Sequence, residues 1–375
     1  MKIAVLRETR EHESRVAATP ETIKKFAGLG YSVAVEAGAG VGASIPDSAY
    51  TAVGAMVGQR DDVLSGAGLI FKVQGPSAAE LSAYPNGAVL IASLNPYDNK
   101  PLVADYASAG LTALALEFVP RITRAQSMDI LSSQANLAGY KAVLDACANY
   151  GKALPMMMTA AGTIPAAKAF IMGVGVAGLQ AIATAKRLGA IVTATDVRIQ
   201  TKEQVESLGG KFIFVDDEEL RAAETAGGYA KEMSDAYKAK QAELIAGHIA
   251  KQDIVITTAL IPGRPAPRLV SAAMVATMQP GSVIVDLAAE RGGNCELTRA
   301  GEVFTTDNGV TIVGYRNIPS RLAADASALF ARNIFNFVSA YHDKESGAPK
   351  WVWDDDILKD MCVTRDGAVV RADLR

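Results

Sequence analysis

Gly173-Val-Gly175-Val-Ala-Gly178 lies between an apolar run, Phe170-Ile-Met172, and a helical run, Leu179 to Leu188. A second β-prone run follows, Ala190-Ile-Val-Thr-Ala-Thr195, and Asp196 closes it. Glycine triplets of this spacing arise by chance in a chain with 33 glycines. This one has its full strand–turn–helix–strand context, with an acid about 20 residues beyond the last glycine. Each glycine does something the others do not. Gly173 lets the chain turn, Gly175 lets backbone approach a pyrophosphate, and Gly178 lets the helix pack closely on its strand. Val176 and Ala177 open a helix whose unpaired N–H groups and positive dipole suit phosphates. Asp196 is placed to accept a hydrogen bond from a ribose 2′-hydroxyl. The segment reads as a dinucleotide site.

The acid also bears on which dinucleotide binds. A 2′-phosphate about 4 Å from Asp196 would cost up to about 4 kcal/mol at an effective dielectric of about 20. NAD(H) is therefore favoured over NADP(H). Arg198 complicates this, because an arginine nearby can accommodate that phosphate.

A chain of 375 residues, half of them hydrophobic, can bury two cores. The net charge is −3 with lysine and arginine spread along the sequence, so no nucleic-acid surface is marked. No apolar run approaches the roughly 20 residues that span a bilayer, so no direct membrane insertion is expected. The start, Met1-Lys-Ile-Ala-Val-Leu-Arg7, reads as a strand rather than a signal peptide. Cys147, Cys295 and Cys362 show no metal spacing and suit reduced thiols in a cytoplasmic protein; no metal is expected. Histidine is confined to His12, His248 and His342, which limits acid–base chemistry.

The elements that must position the site alternate in type. Candidate strands of the first third are Lys2–Arg7, Ser32–Glu36, Leu69–Val73, Ala88–Ser93 and Leu111–Glu117, apolar runs without clean alternation, as in parallel sheets covered on both faces. Thr19-Pro20-Glu21 opens a helix that continues through Leu29. A long helical segment runs from about Ser127 to Tyr150. Six further strands follow: Ala169–Met172, Ile191–Thr195, Lys211–Phe214, Ile254–Thr257, Ser282–Asp286 and Thr311–Val313. Ser320–Tyr341 reads as a helix returning to the first unit, and Asp366-Gly367 as a hairpin turn. The expected fold is α/β, with two Rossmann-like doubly wound domains separated by a cleft. The first is discontinuous, 1–130 with 319–375; the second, 131–318, binds the dinucleotide. Thr225-Ala-Gly227-Gly228-Tyr229 reads either as a lid over the cofactor or as an ordinary surface loop.

The stretch Pro120-Arg121-Ile-Thr-Arg124-Ala-Gln126-Ser-Met-Asp129-Ile-Leu-Ser132-Ser-Gln134-Ala-Asn-Leu-Ala-Gly139-Tyr140 closely resembles the signature of the NAD(H)-binding component of proton-translocating nicotinamide nucleotide transhydrogenases. Further matches are Met156-Met-Met-Thr159-Ala-Ala-Gly162, Thr257-Thr-Ala259-Leu260-Ile-Pro262-Gly263 and Pro319-Ser-Arg-Leu-Ala-Ala-Asp325-Ala-Ser327. The resemblance runs essentially end to end, and is to the form made as a separate soluble polypeptide. It implies hydride transfer between NAD(H) here and NADP(H) held by a partner component, coupled to proton movement through a membrane-spanning component. It implies a homodimer, cytoplasmic and peripheral to the inner (plasma) membrane through its partner subunits. By the same resemblance Arg121, Asp129 and Ser132 organise the nicotinamide end of NAD(H), and Gln126 reaches toward the partner's nucleotide. Gly228, Tyr229 and Met233 match a loop that folds over NAD(H). Ala259 and Leu260 follow a strand's carboxyl end, where a cofactor crevice belongs.

The residue types suit that chemistry independently. Hydride transfer between two nicotinamides needs no general acid or base, only rings held at roughly 3–3.5 Å. Amide, hydroxyl and guanidinium groups position carboxamides and riboses without titrating near neutral pH.

Alanine dehydrogenases share the architecture and offer the rival enzyme reading. Arg15 and Lys72 match the pair that those enzymes use on the substrate carboxylate and carbonyl. Where they place a histidine base, this chain has Asn95, which cannot titrate near neutral pH. Arg15 and Lys72 are then scaffold, either solvent-facing or paired to acids. A third reading is a non-catalytic NAD-sensing module.

Overall fold

The computed structural model describes residues 1–215, 234–261 and 263–375. They form two compact units, Met1–Gln134 with Pro319–Arg375, and Ala135–Ile318. In chain order the strands are β1 (Lys2–Val5), β2 (Ser32–Glu36), β3 (Met56–Gly58), β4 (Leu69–Gln74), β5 (Val89–Ser93) and β6 (Thr112–Ala115). Then come β7 (Met157–Thr159), β8 (Gly162–Ile164), β9 (Lys168–Met172), β10 (Ile191–Thr195), β11 (Lys211–Phe212), β12 (Ile254–Thr257) and β13 (Val283–Asp286). The rest are β14 (Val303–Thr305), β15 (Thr311–Val313), β16 (His342–Asp343), β17 (Ala348–Pro349), β18 (Cys362–Arg365) and β19 (Ala368–Val369).

The first unit is built on an eight-stranded sheet, ordered β19-β18-β6-β5-β4-β1-β2-β3. β1 to β6 are parallel, while β18 and β19 run antiparallel at one edge. Alternate residues of each strand serve opposite layers. Ile3, Val5, Phe71 and Ile91 join Phe26, Phe330, Ile334 and Phe337 on one face. Ala4, Ile70 and Leu90 join Leu64, Val103 and Tyr106 on the other. Covering both faces is what makes these strands continuous apolar runs in sequence. The helix Pro20–Gly28 starts where sequence chemistry puts it: Thr19 caps it in a reciprocal box with Thr22, and Pro20 sits in the first turn.

The second unit carries a seven-stranded sheet, ordered β11-β10-β9-β12-β13-β15-β14. Ile171, Ile254, Ile256 and Val285 face one core and Phe170, Val255, Ile284 and Ile312 the other. The chain winds from β9 outward to β10 and β11, then returns to β12 on the opposite side of β9. β9 and β12 therefore flank the topological switch point, and their last residues, Met172 and Thr257, are register partners. Ligands of doubly wound sheets bind outside the carboxyl ends of strands at such a point.

Several expected elements are corrected. The sheet of the second unit has β14 besides the six expected strands, an antiparallel edge strand paired with β15. β3 adds a parallel edge to the first sheet. The strand expected over Leu111–Glu117 stops at Ala115 and turns into a 3-10 segment, Leu116–Phe118. Glu117 lies in this segment, and its carboxylate accepts hydrogen bonds from the amides of Leu94 and Asn95. The runs expected to reach Arg7 and Phe214 end at Val5 and Phe212. The turn at Asp366 and Gly367 has positive φ at both residues, 53° and 76°, as a two-residue primed turn requires.

Among the described residues no helix is long and apolar enough to cross a membrane.

Candidate nucleotide-binding site

β9 delivers the chain into the glycine turn. Gly173 has φ 103°, a conformation that side chains resist, and its carbonyl accepts a hydrogen bond from Thr258 Oγ1 at 3.1 Å. A Cβ on Gly178 would collide with that same carbonyl, so the helix Val176–Arg187 can sit this close to its strand only with glycine there. Gly175 is different: a Cβ there would meet nothing within 4 Å among the described residues, so its face is open to them. Among the described residues no side chain caps the helix at Gly175, which leaves its first N–H groups available. An open glycine before an uncapped helix end at the switch point fits a diphosphate, with Val176 and Ala177 supplying the first amides.

Asp196 ends β10 beside this turn, and its carboxylate is occupied. It accepts from the Val174 amide at 2.7 Å, and from the Arg198 amide, Nε and Nη2 at 2.9, 2.9 and 3.0 Å. Arg198 also donates to the Val174 carbonyl at 3.3 Å. Burial by itself would raise the Asp196 carboxyl; the hydrogen bonds from Arg198 and Val174 outweigh it and hold the group below the usual value.

Ala259 and Leu260 follow β12 across the switch point. Leu260 is exposed, and Ala259 is held by Asn294, a residue that the sequence analysis did not single out. Asn294 is fully buried; its Nδ2 also donates to the Pro267 carbonyl at 2.8 Å. Asp286, at the end of β13, holds the loop that carries Asn294, accepting from Thr257, Ala288, Cys295 and Thr298. The available signal was a strand-end acid followed by Gly292-Gly293-Asn294, a loop of glycines and one amide. Gly139, within the signature stretch, is explained by packing: a Cβ would strike the Ala177 carbonyl.

In the first unit, Arg121 and Gln126 are exposed. Gln126 lies in the 3-10 segment Thr123–Met128. Asp129 and Ser132 are coupled to each other: the Ser132 amide and hydroxyl both donate to the Asp129 carboxylate, at 3.0 and 2.6 Å. This places Asp129 as the cap of the helix Ile130–Asn149. Gly228, Tyr229 and Met233 lie outside the described residues.

Arg15 and Lys72 are both buried and both paired to acids. Glu13 engages the Arg15 guanidinium at 2.8 and 2.6 Å, and Gln134 Oε1 takes a third N–H at 2.8 Å. Lys72 lies 3.5 Å from Glu8 and 3.7 Å from Glu80. Burial pushes the Glu8 carboxyl up to about 7 against the pull of Lys72. Glu117 is likewise pushed up to about 7 by burial while it holds the amide of Asn95, whose φ is 48°.

Two doubly wound sheets, one ending in a glycine turn with a strand-end acid, define a nucleotide-binding α/β oxidoreductase architecture. The chain belongs to the alanine dehydrogenase/PNT family: the family's N-terminal domain matches residues 4–138 and its C-terminal domain residues 142–372. It is 56% identical to the first part of NAD(P) transhydrogenase subunit alpha from Rhodospirillum rubrum, over 99% of this chain and 98% of that one. The crystal structure of transhydrogenase from Sinorhizobium meliloti superposes with a TM-score of 0.91 at 54% identity, covering 99% of this chain and all of that one. Alanine dehydrogenase of Mycobacterium tuberculosis is 31% identical over 80% of this chain and 75% of its own.

Proposed function

We propose that this chain is the NAD(H)-binding subunit of a proton-translocating transhydrogenase. When bound, the nicotinamide would supply the hydride chemistry: NADH would give a hydride to NADP⁺ on a partner component, or NAD⁺ would take one from NADPH there. The observation that carries this reading is a contrast between two sets of cationic and amide groups. Arg15 and Lys72, which a dehydrogenase would turn on a substrate carboxylate, are neutralised by Glu13, Glu8 and Glu80. Arg121 and Gln126, which transhydrogenation would use, stand exposed. The names of the relatives at 56% and 54% identity support the same choice.

The chain's own work is binding and orientation. Gly175 and the helix behind it take the diphosphate, and Asp196 takes the adenosine ribose. Ala259 and Leu260 line the carboxyl end of β12, and Gly228 and Tyr229 bind the nucleotide. Arg121, with the Asp129–Ser132 pair, holds the nicotinamide end, and Gln126 contacts the partner's nucleotide. None of these groups moves a proton in the hydride step. The subunit works as a homodimer attached to the inner membrane through its NADP(H)-binding and membrane-spanning partners; proton translocation belongs to them.

Two assays test this. With L-alanine and NAD this protein alone should show no reduction; mixed with an isolated NADP(H)-binding transhydrogenase component it should exchange hydride between NADH and an NADP analogue. Gln126→Asn should slow exchange and leave NADH affinity nearly intact, the pattern of lost transition-state positioning. Alanine oxidation at enzymatic rates would overturn the reading, and silence in both assays would favour an NAD-sensing module.

A further inference from the structure

We propose that Arg198, through its ion pair with Asp196, sets how sharply this site separates NAD(H) from NADP(H): it is a 2′-phosphate ligand held out of use by the acid beside it. The inference rests on the dinucleotide reading above.

An ionised carboxylate offers about four lone-pair positions. On Asp196 all are taken, one by the Val174 amide and three by Arg198. A ribose 2′-hydroxyl needs one of them. The Val174 amide is fixed in the glycine turn, so the contact that yields belongs to the Arg198 side chain, which is half exposed. Giving up one contact leaves the guanidinium beside the carboxylate, and the pair stays neutral.

A 2′-phosphate makes a different demand. Asp196 repels it, and it gains the planar guanidinium fork only by drawing Arg198 away from the acid. The Asp196 side chain is 7% exposed, so it would then be a nearly buried charge without its counter-ion. Discrimination is thus the competition of two anions for one guanidinium, with direct repulsion by Asp196 added to it.

A double-mutant cycle separates the competition from the repulsion. NADH and NADPH are titrated by nicotinamide fluorescence into wild type, Asp196→Ser, Arg198→Ala and the double variant. Asp196→Ser frees Arg198 and should tighten NADPH about tenfold or more, the scale of coupling found for close charge pairs. In the Arg198→Ala background the same substitution should gain less, only what relief of the direct repulsion supplies. If Asp196→Ser tightens NADPH equally with and without Arg198, or not at all, the proposed role of Arg198 is wrong. Should the serine variant fail to fold because the Val174 amide loses its acceptor, Asp196→Asn keeps an acceptor there and is read in the same way. Wild type that binds no NADH would remove the nucleotide site itself; NADH binding with an additive cycle removes only the role of Arg198.

Discussion

Asn294 grips Ala259 by both sides of its backbone: Oδ1 accepts the Ala259 N–H at 3.0 Å while Nδ2 donates to the Ala259 carbonyl at 2.9 Å. One fully buried amide thus fixes the residue that follows β12 at the switch point. Asn294→Ala would strand these two part-buried backbone groups and the Pro267 carbonyl, each at the low end of the roughly 1–3 kcal/mol that a fully buried unpaired group costs. We expect a lower urea midpoint and weaker NADH binding, read by fluorescence titration. A variant with wild-type stability and affinity would show that the loop holds itself.

Glu8 and Glu117 make stability depend on pH near neutrality. A glutamate titrates at 4.5 before folding, whereas both are pushed up to about 7 by burial in the fold. Between those values the folded chain keeps protons that the unfolded chain has lost, so stability falls as pH rises through about 7. His248 opposes this trend at lower pH. Burial and the nearby Lys251, Lys211 and Lys168 lower its pKa, so below 6.5 the unfolded chain takes up that proton more readily. Urea midpoints should rise from about pH 8 to about pH 6.5, and Glu117→Gln should flatten the slope. A flat wild-type profile would contradict the burial of these two carboxyls in solution.

The hairpin β7–β8 presents Met156, Met157, Met158 and Ile164 to solvent, with Met158 77% exposed. Apolar side chains grouped on an arm of this kind mark an association surface. Met157→Glu with Met158→Glu should shift the proposed homodimer toward monomer in light scattering and leave the unfolding midpoint of the monomer little changed. A dimer that persists unaltered would place its interface elsewhere.

The central strands were legible because burial on both faces leaves an unbroken apolar run. Ser32–Glu36, Ile191–Thr195, Ile254–Thr257 and Thr311–Val313 form over the residues that their apolar runs mark. The edges were not legible: β3 and β14 are three residues long and partly exposed, so no run announces them. In the site, the turn at Gly173 and the close helix packing at Gly178 could be read because the glycine spacing stands in its strand–turn–helix context. The saturation of Asp196 by Arg198 could not, because it depends on the side chain of a neighbour folding back over one residue. Sequence leaves Arg15 and Lys72 open between solvent and acids, and the buried acids decide it. Asn294 is only faintly marked, by the glycines before it, because a buried amide that serves backbone leaves little pattern of its own.

The insertion of the second unit within the first governs the order in which the sheets can be completed during synthesis. Residues 135–318 leave the ribosome as one uninterrupted stretch, and every strand of the second sheet lies within it. The first sheet has to wait. β6 receives its neighbour β18 only later, through contacts such as Ala113 with Thr364, 251 residues apart. Until then β6 is a bare edge, rich in Leu and Ala, that offers unpaired N–H and C=O groups to any passing strand. Nascent chains from which residue 319 but not residue 362 has emerged should therefore hold a finished second unit and an aggregation-prone partial sheet, making the late β18–β19 hairpin the step that protects the whole polypeptide.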